Sequence, residues 1–335
     1  MRAFELRGPD LGQLVMTERA DPRPGSGEVL VRMRAASLNY RDLLIARGKY
    51  GRGGLKFPLV PVSDGAGEVI GVGPDAGDLK PGDRVMGNFF RSWVDGPPSP
   101  EKQAEALGGN VDGVLAEQVV LRADASVPVP DELSFEEAAT LPCAAVTAWV
   151  GLVKLGKIQA GETVLAQGTG GVSIFALQLA KALGARVILT SSSDAKLDRG
   201  KQLGADQTIN YGQTPDWDSQ ARALTGGRGV DHILEVVGVK TLPQSLRAVR
   251  DGGHLTLVGL LGGERATVDL AKNDRGVRVD SVYVGSAANL RDLAQTVARA
   301  GIRPVIDRIF PFAEARDAYQ HLAGGAHLGK VAISI

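Results

Sequence analysis

A glycine-rich turn between a strand and a helix is the segment best suited to chemistry. The largely apolar residues 163–167 suit a strand buried on both faces, and Gly168, Gly170 and Gly171 follow them. Apolar residues at near-helical spacing then predict a helix that ends at Gly184. Glycines let the backbone approach phosphates, and the first N–H groups of a helix favour negative charge. The segment therefore predicts a dinucleotide site and a nicotinamide-dependent enzyme.

The glycine pattern is incomplete, because Ser173 stands where the third glycine of G-x-G-x-x-G would be. A purely steric turn between strand and helix is the alternative interpretation. The preceding strand and the following helix favour cofactor binding.

The end of the next strand bears on the choice of cofactor. It reads Thr-Ser-Ser-Ser at 190–193, whereas an NAD-type site places an acid there, about 20 residues after the first glycine. Hydroxyls and the ammonium of Lys196 would bind a 2′-phosphate that a carboxylate would repel. The sequence predicts NADP(H). The alternative for Lys196 is a solvated helix charge, and Asp194 is expected to cap that helix.

Composition limits the classes of partner. The 335 residues, 44% of them hydrophobic, suffice for two domains with sizeable cores. Lys plus Arg and Asp plus Glu number 38 each, so we expect a small-molecule substrate and neither nucleic acid nor a membrane as partner. No apolar signal core or membrane-length run is recognised, which predicts a cytoplasmic protein. The single cysteine, Cys143, excludes an internal disulfide framework.

Two patterns of elements divide the chain. Residues 1–133 read as short strands separated by turns, which predicts an antiparallel, barrel-like β domain. Strands alternating with helices over 134–285 predict a doubly wound parallel sheet. We expect 286–335 to return to the first domain and a cleft between the domains to hold the nicotinamide end of the cofactor.

The order of these pieces resembles the medium-chain dehydrogenase/reductase superfamily over essentially the whole chain. The resemblance implies an α/β protein with a GroES-like antiparallel β-barrel catalytic domain (1–133, completed by 286–335) and a doubly wound parallel Rossmann domain (134–285), assembled as a homodimer or homotetramer. The segments that carry it are 28–42, 58–73, 81–85, 113–117, 141–149, 203–206, 226–231, 329–331 and the Gly168 motif.

The sequence differs from the zinc alcohol dehydrogenases of this superfamily at the positions of their catalytic zinc ligands. Asn39 stands at their first cysteine position, Ser63-Asp64 align with their His-Glu pair, and only Cys143 keeps a thiol. An amide and a hydroxyl are poor substitutes for thiolate and imidazole, so no metal is expected. Cys143 is interpreted as a packing residue, the alternative being a residual ligand or nucleophile.

Without zinc, the chain looks like the quinone oxidoreductase and enone reductase branch, which carries an Asn-x-x-Asp pattern at Asn39 and Asp42. The resemblance implies hydride transfer from NADPH to a quinone or to the β-carbon of an activated alkene. Asn39 would donate a hydrogen bond to the resulting enolate, and Tyr40, with Tyr50 as an alternative, would supply the proton. The alternatives are that Asn39 caps a turn, Asp42 opens a helix and Tyr40 packs.

Matching the family position by position gives the full set of candidate residues. The candidate catalytic residues are Asn39, Tyr40 and Asp42. The candidate cofactor contacts are Thr147, Gly168, Thr169, Gly170, Gly171, Val172, Ser191, Ser192, Lys196, Tyr211, Val237, Gly238, Val258, Gly259, Leu260, Val284, Gly285, Ser286 and Lys330. A strand around 279–284 is a candidate dimer edge.

Three functional hypotheses follow. The first is a zinc-independent NADPH-dependent reductase of quinones or α,β-unsaturated carbonyls. The second keeps the cofactor but assigns an alcohol/aldehyde pair as substrate. The third is a non-enzymatic NADPH-binding protein.

Overall fold

The computed structural model describes residues 1–50, 55–259 and 275–335. These residues form two compact units, Met1–Val146 with Val284–Ile335 and Thr147–Tyr283. The boundary predicted at 134 from the change in pattern stays a prediction.

The first unit is built mainly of strands. In chain order they are β1 (Arg2–Leu6), β2 (Leu14–Glu18), β3 (Glu28–Leu38), β4 (Asp64–Val72), β5 (Arg84–Gly87), β6 (Gln118–Arg122) and β7 (Ser126–Pro128). Two short helices accompany them, α1 (Tyr40–Ala46) and α2 (Phe135–Ala138). Ser134 caps α2 through a hydrogen bond from the Glu137 N–H, and the Glu137 carboxylate accepts from the Ser134 N–H.

The helical segment after α2 contains π-helical turns over Leu141–Ala145 and Val150–Leu155, on either side of α3 (Val146–Trp149). By length and composition, the helix Phe135–Leu155 is long and apolar enough to cross a membrane. The expectation that no run reaches that length is therefore wrong by this criterion. Since 72% of its apolar window is buried inside the protein, the helix has the burial of a core helix.

The second unit alternates strands and helices. They are β8 (Thr163–Gln167), α4 (Gly171–Ala182), β9 (Arg186–Ser191), α5 (Asp194–Gln202), β10 (Gln207–Asn210), α6 (Trp217–Ala223), β11 (Val230–Glu235), α7 (Leu242–Ala248), β12 (Val249–Leu257) and β13 (Arg278–Ser281). The strands pair in parallel in the order β10-β9-β8-β11-β12-β13. This is the doubly wound Rossmann order, with the strand sequence reversing beside β8.

The last segment completes the first unit with α8 (Ala287–Ala300), β14 (Ile306–Pro311), α9 (Ala315–Gly324) and β15 (Lys330–Ser334). The main sheet runs β14-β15-β3-β4-β5-β7, with β6 also paired to β3. The amino-terminal half of β3 pairs with β6 and its carboxyl-terminal half with β15, so this long strand joins both parts of the unit.

Several predicted helix boundaries move by a few residues. The helix α1 begins at Tyr40 instead of Asp42, because Asn39 occupies its N-cap position. The helix α8 begins at Ala287, since Ser286 caps it by accepting from the Asn289 N–H, although Ser286 was predicted as a cofactor contact. The predicted cap Asp194 is wrong, because Ser193 caps α5 and accepts from the Lys196 N–H.

Candidate active site and cofactor site

Three strand ends meet in the first unit and position the candidate catalytic residues. Antiparallel pairing joins β15 to β3 with Val331 opposite Leu38, which places Lys330 beside Asn39. The pairing of β3 with β4 sets Ser37 opposite Asp64. Residues that lie almost 300 positions apart in the sequence thus lie at one edge of the sheet.

Hydrogen bonds, together with the opposite charges of Asp64 and Lys330, connect a buried polar cluster, defined here as Asn39, Asp42, Ser63, Asp64 and Lys330. The Lys330 ammonium donates to Asn39 Oδ1 at 2.7 Å and to the carbonyl of Leu38. The Asn39 N–H donates to Asp42 Oδ2 at 2.7 Å, and Ser63 Oγ donates to Asp64 Oδ1 at 2.6 Å. All five residues are at most 9% exposed.

Burial dominates the electrostatics of the cluster, because charged forms are costly to remove from water. It raises the pKa of Asp42 to about 6, against the opposing effect of the Arg41 guanidinium. Burial also raises the pKa of Asp64 and lowers that of Lys330. Asp64 is the main group that opposes the shift at Lys330, so these two residues are each other's principal counter-charges.

Cys143 touches the cluster through its backbone. Its N–H donates to Asp64 Oδ2 at 3.0 Å, while the free thiol belongs to a half-buried residue. Burial, together with the Asp64 carboxylate, raises the pKa of the thiol well above its usual value. A protonated thiol is a poor nucleophile and a poor metal ligand, in line with the packing interpretation.

Polar atoms without a partner distinguish the cluster from an ordinary core. Among the described residues, Asn39 Nδ2, Asp42 Oδ1 and the Tyr319 hydroxyl have no hydrogen-bond partner. The Asn39 side chain nevertheless lies close enough to the Asp64 carboxylate to lower its pKa as a hydrogen-bond donor, so one of the two N–H groups of Nδ2 lies near Asp64 without a hydrogen bond of normal geometry. Buried polar atoms are normally paired in native structures, so unpaired ones mark a place where another molecule could bind.

Arg41 forms one wall of this region. It is buried, its guanidinium donates to the Leu107 carbonyl at 2.9 Å, and its Nη1 lies 3.5 Å from Asp42 Oδ1. The rings of Tyr50 and Phe89 lie 4.8 and 4.6 Å from its central carbon. These contacts hold Arg41 in a fixed position by hydrogen bonding and by cation–π interaction.

The two candidate proton donors differ in exposure. Tyr40, the first residue of α1, is 46% exposed, whereas Asn39 and Asp42 on either side of it are buried. Tyr50 is half-buried and packs on Arg41. The structure thus brings Asn39 and Asp42 together and leaves the Tyr40 side chain turned largely to solvent.

Strained backbone occurs next to predicted site residues. Val62 precedes Ser63 with a φ of 73°, and Val284, a candidate cofactor contact, has a φ of 59°. A β-branched residue in this left-handed region is an outlier that costs roughly 1–3 kcal/mol. Such strain concentrates at functional sites and has no signal in the sequence.

The Gly168 turn in the second unit has the shape that the sequence predicts. Gly168 has a φ of 72°, and a Cβ added to Gly168 or Gly170 would meet no atom within 4 Å. Gly170 is the N-cap of α4 and supplies no side-chain cap, so the N–H groups of Gly171 and Val172 begin the helix uncapped. Open space beside uncapped N–H groups suits the pyrophosphate of a nicotinamide dinucleotide.

Adjacent strand ends place the other predicted cofactor residues. Thr190 Oγ1 accepts a hydrogen bond from the Gly168 N–H at 3.2 Å, which joins the first two loops of the sheet. Tyr211 follows β10, donates its N–H to the Ser191 carbonyl, and has a 43% exposed side chain. Lys196 is half-buried in the first turn of α5. Ser191, Lys196 and Tyr211 therefore lie at neighbouring carboxyl ends of β9 and β10.

The carboxylate of Asp194 is held by two amides. It accepts from Asn210 Nδ2 at 2.7 Å and from Gln213 Nε2 at 2.9 Å. These contacts explain why the side chain does not cap α5, and they tie the α5 terminus to the loop after β10.

Glu235, at the end of β11, organises the next cofactor loop. Its fully buried carboxylate accepts from the N–H groups of Val237 and Gly238 at 3.0 and 2.8 Å, and from Thr241, Ser245 and Gln167. Its carbonyl accepts from the N–H groups of Val258 and Gly259. Glu235 thus fixes four backbone positions that the sequence predicts as cofactor contacts.

The remaining predicted contacts vary in setting. Thr147 and Thr169 are buried, and Gly285 lies next to Val284 with its carbonyl 3.5 Å from Asn88 Nδ2. Ser286 is engaged as the cap of α8. Leu260 lies outside the described residues.

Family models match both halves of the chain. The alcohol dehydrogenase GroES-like domain matches residues 25–131, and the zinc-binding dehydrogenase model matches residues 171–299. The chain is 46% identical over 316 residues to a zinc-type alcohol dehydrogenase-like protein of Schizosaccharomyces pombe, covering 92% of this chain and 91% of that one. It is 30% identical over 348 residues to the acryloyl-coenzyme A reductase of Metallosphaera sedula, covering 100% of both.

Solved structures agree along the full length. An NAD-dependent alcohol dehydrogenase superposes with a TM-score of 0.92 at 33% identity, and a mycobacterial protein in complex with NADPH superposes with 0.83 at 28%, each covering 100% of both chains. The chain belongs to the medium-chain dehydrogenase/reductase superfamily. This dehydrogenase/reductase is an NAD(P)H-dependent oxidoreductase, so the non-enzymatic hypothesis is dropped.

The predicted fold class is confirmed for this member of the superfamily, with a GroES-like β domain and a parallel Rossmann domain. The three positions that the sequence predicts to align with the zinc ligands of the superfamily hold Asn39, Ser63 and Cys143. No group of three or more His, Cys, Asp or Glu residues in the described part of the chain is arranged to hold a metal.

Sequence analysis missed several residues of this dehydrogenase/reductase site. Arg41, Tyr319 and Glu235 carry no motif and were not predicted, although each is buried against predicted site residues or loops. Arg41 had one available signal, since it lies between Asn39 and Asp42 in the sequence. Tyr319 and Glu235 had none, because their roles depend on contacts across the fold.

Proposed function

We propose that this protein is a zinc-independent, NADPH-dependent oxidoreductase that transfers a hydride to a quinone or an α,β-unsaturated carbonyl compound. The observation that carries the proposal is the chemistry at the zinc-ligand positions of the superfamily. Asn39 and Ser63 offer an amide and a hydroxyl, and burial keeps the Cys143 thiol protonated. A catalytic zinc needs three good ligands and an open position.

The buried cluster supplies what an enone reduction needs in place of a metal. When bound, NADPH provides the hydride. Addition at the β-carbon of the substrate moves the electrons of the C=C bond to the carbonyl oxygen, and a proton then adds at the α-carbon. The donor for that oxygen is Asn39 Nδ2, which makes no hydrogen bond of normal geometry to the described residues and carries two N–H groups. Tyr40 and Tyr50 remain the candidate proton donors.

The experiment compares a saturated aldehyde with its enal. Purified protein is incubated with NADPH and either hexanal or trans-2-hexenal, with and without a chelator, and the products are separated by gas chromatography. We expect hexanal from hexenal, at a rate that the chelator leaves unchanged. Loss of activity on chelation and its return with zinc would overturn the proposal.

The second candidate is an alcohol/aldehyde pair, favoured by the names of the S. pombe relative and of the NAD-dependent alcohol dehydrogenase structure. The name of the acryloyl-coenzyme A reductase favours C=C reduction instead. The same experiment separates the two candidate functions. An alcohol dehydrogenase would reduce hexanal to hexanol and would reduce hexenal only at its carbonyl group.

The proposed preference for NADPH rests on the strand ends of the Rossmann domain. Ser191, Ser192, Lys196 and Tyr211 offer hydroxyls and an ammonium to a 2′-phosphate, and the neighbour bound to NADPH supports the assignment. We expect Lys196→Ala to raise the KM for NADPH about tenfold and to leave the KM for NADH within a factor of two. An equal change for both cofactors would contradict the assignment.

The proposed assembly is a homodimer, with a homotetramer as the alternative, in the cytoplasm. The strand β13 lies at the edge of its sheet, and Val279 on it is 45% exposed. An edge strand that no described strand pairs on its outer side favours pairing with a symmetry mate. Light scattering of wild type and Val279→Lys tests this, since the variant should be monomeric; an unchanged mass would reject the β13 interface.

A further inference from the structure

The contact between Lys330 and Asn39 has a consequence for the orientation of the Asn39 amide. An ammonium has three donors and no acceptor, so Lys330 Nζ, at 2.7 Å, can bind only the oxygen of that amide. The nitrogen, Nδ2, is thereby directed away from Lys330. An asparagine without such a neighbour could present either end of its amide to a bound molecule.

We propose that Lys330 is a positioning residue for the reaction: it holds the Asn39 amide so that its N–H groups, and not its oxygen, face the carbonyl oxygen of the substrate. This inference rests on the proposed role of Asn39 as donor. It reassigns Lys330, which the family resemblance placed among the cofactor contacts.

Burial gives the contact its rigidity. Lys330 is 3% exposed, and its ammonium also donates to the Leu38 carbonyl, the last residue of β3. The antiparallel register of β15 on β3 fixes its backbone beside Asn39. A buried ammonium is stable only when it is hydrogen-bonded and paired, so the lysine has little freedom to leave these acceptors.

The surrounding charges complete the arrangement. The buried carboxylates of Asp64 and Asp42 both act on Lys330 electrostatically, and Asp64 has the larger effect. Asp42 also accepts from the Asn39 N–H, which fixes the backbone of the same residue from the other side. Asn39 is thus held at its backbone by Asp42 and at its side-chain oxygen by Lys330. Its Nδ2 makes no hydrogen bond of normal geometry within the described part of the chain, and the nearby Asp64 carboxylate leaves at least one of its two N–H groups for a bound molecule.

A double-mutant cycle tests the proposal with whichever acceptor the protein reduces. Lys330→Met, Lys330→Arg and Asn39→Ala are made singly, and each lysine change is also made in the Asn39→Ala background. NADPH binding without acceptor is measured by fluorescence titration, and kcat and KM are measured separately. Lys80→Met, at an exposed lysine paired with Asp83, is the matched control.

We expect Lys330→Met to lower kcat about 10- to 100-fold with the Kd for NADPH unchanged within twofold, because a misdirected amide forfeits part of a transition-state hydrogen bond. In the Asn39→Ala background the same change should lower kcat less than threefold, since residues that act together are not additive. Lys330→Arg should recover part of the rate.

Two results would overturn the proposal. A tenfold or larger rise in the Kd for NADPH at unchanged kcat would make Lys330 a cofactor contact, and multiplicative losses in the double mutant would show that it acts independently of Asn39. If Lys330→Met does not fold, Lys330→Arg decides by the same cycle. The cycle can be run with any substrate that the protein reduces. Its result can therefore be interpreted even if the protein reduces C=O bonds and not C=C bonds.

Discussion

Two buried carboxylates, one in each unit, differ in how completely they are hydrogen-bonded. Glu235 in the Rossmann domain accepts hydrogen bonds from two backbone N–H groups and three side chains. Asp42 in the GroES-like domain accepts from the Asn39 N–H through Oδ2, and the partner of its Oδ1 within the described part of the chain is the Arg41 guanidinium at 3.5 Å.

The difference separates a structural role from a functional one. A fully hydrogen-bonded carboxylate fixes the loops around it, whereas a cluster with unpaired polar atoms is incomplete without another molecule. Around Glu235 the donors belong to loops predicted to hold the cofactor. Around Asp42, Asn39 Nδ2 and the Tyr319 hydroxyl make no hydrogen bond of normal geometry to any residue that the structure describes. Burial thus stabilises the loops around Glu235, whose carboxylate is fully hydrogen-bonded. Around Asp42, burial leaves polar atoms that a bound molecule can pair.

The largest expected effect is at the incomplete cluster. Asn39→Ala should lower kcat about 10²- to 10³-fold, the usual cost of one lost donor to a developing oxyanion. Binding of NADPH in a fluorescence titration should be unchanged. Asn110→Ala, at an exposed asparagine, is the control. A loss below threefold would show that the unpaired Nδ2 is not used in the reaction.

The next largest effect is expected at Glu235, whose carboxylate is fully hydrogen-bonded. Glu235→Ala would leave its buried donors unpaired and should lower the free energy of unfolding by about 3 kcal/mol. Glu235→Gln should cost only about 1 kcal/mol, because Gln167 Oε1 has no partner and an amide flip at Gln167 could present it to the new donor.

Urea unfolding and NADPH titration measure both variants. Glu235→Ala should also weaken NADPH binding, since Val237 and Gly238 lose the acceptor that orders their loop. Equal stability of the two variants would mean that the hydrogen bonds to Glu235 do not order this loop.

A smaller effect concerns pH. Burial raises the pKa of Asp42 to about 6 from its ordinary value of 3.8, so the folded protein holds a proton that the unfolded chain releases. Its stabilising effect is therefore complete below about pH 4 and is lost as pH rises through 6. Asp42→Asn keeps an acceptor for the Asn39 N–H but does not titrate. Its Tm should exceed that of wild type by roughly 3 °C at pH 8 and by less at pH 4.5.

His254 affects the pH dependence of stability in the direction opposite to Asp42. Burial, with Arg278 and His232, lowers the pKa of His254 to about 4, so the unfolded chain binds the extra proton there. His254 thus stabilises the fold above about pH 6.5, an effect lost as pH falls through 4. Parallel Tm curves for wild type and Asp42→Asn from pH 4.5 to 8 would contradict the shift at Asp42.

Neighbouring residues in the sequence were enough to predict the Gly168 turn, but they could not predict the contacts of the buried polar cluster. The Gly168 turn depends on a few adjacent residues, and the sequence predicted its strand, its glycines and its helix closely. The contact of Lys330 with Asn39 spans 291 positions and depends on the register of β15 on β3. Ser193 and Asp194 are both good caps, and only the distant Asn210 and Gln213 decide between them.

The smallest expected effect reports on the charge of Asp64. The Asp64 carboxylate is the second cause, after burial, of the raised pKa of the Cys143 thiol. Because only the thiolate reacts, iodoacetamide should modify the native protein at pH 8 far more slowly than the urea-unfolded chain. Asp64→Asn should accelerate the native reaction about threefold, since the neutral amide removes the repulsion. Mass spectrometry follows this single cysteine without ambiguity, and an unaltered rate in Asp64→Asn would indicate that Asp64 is already protonated in the folded protein.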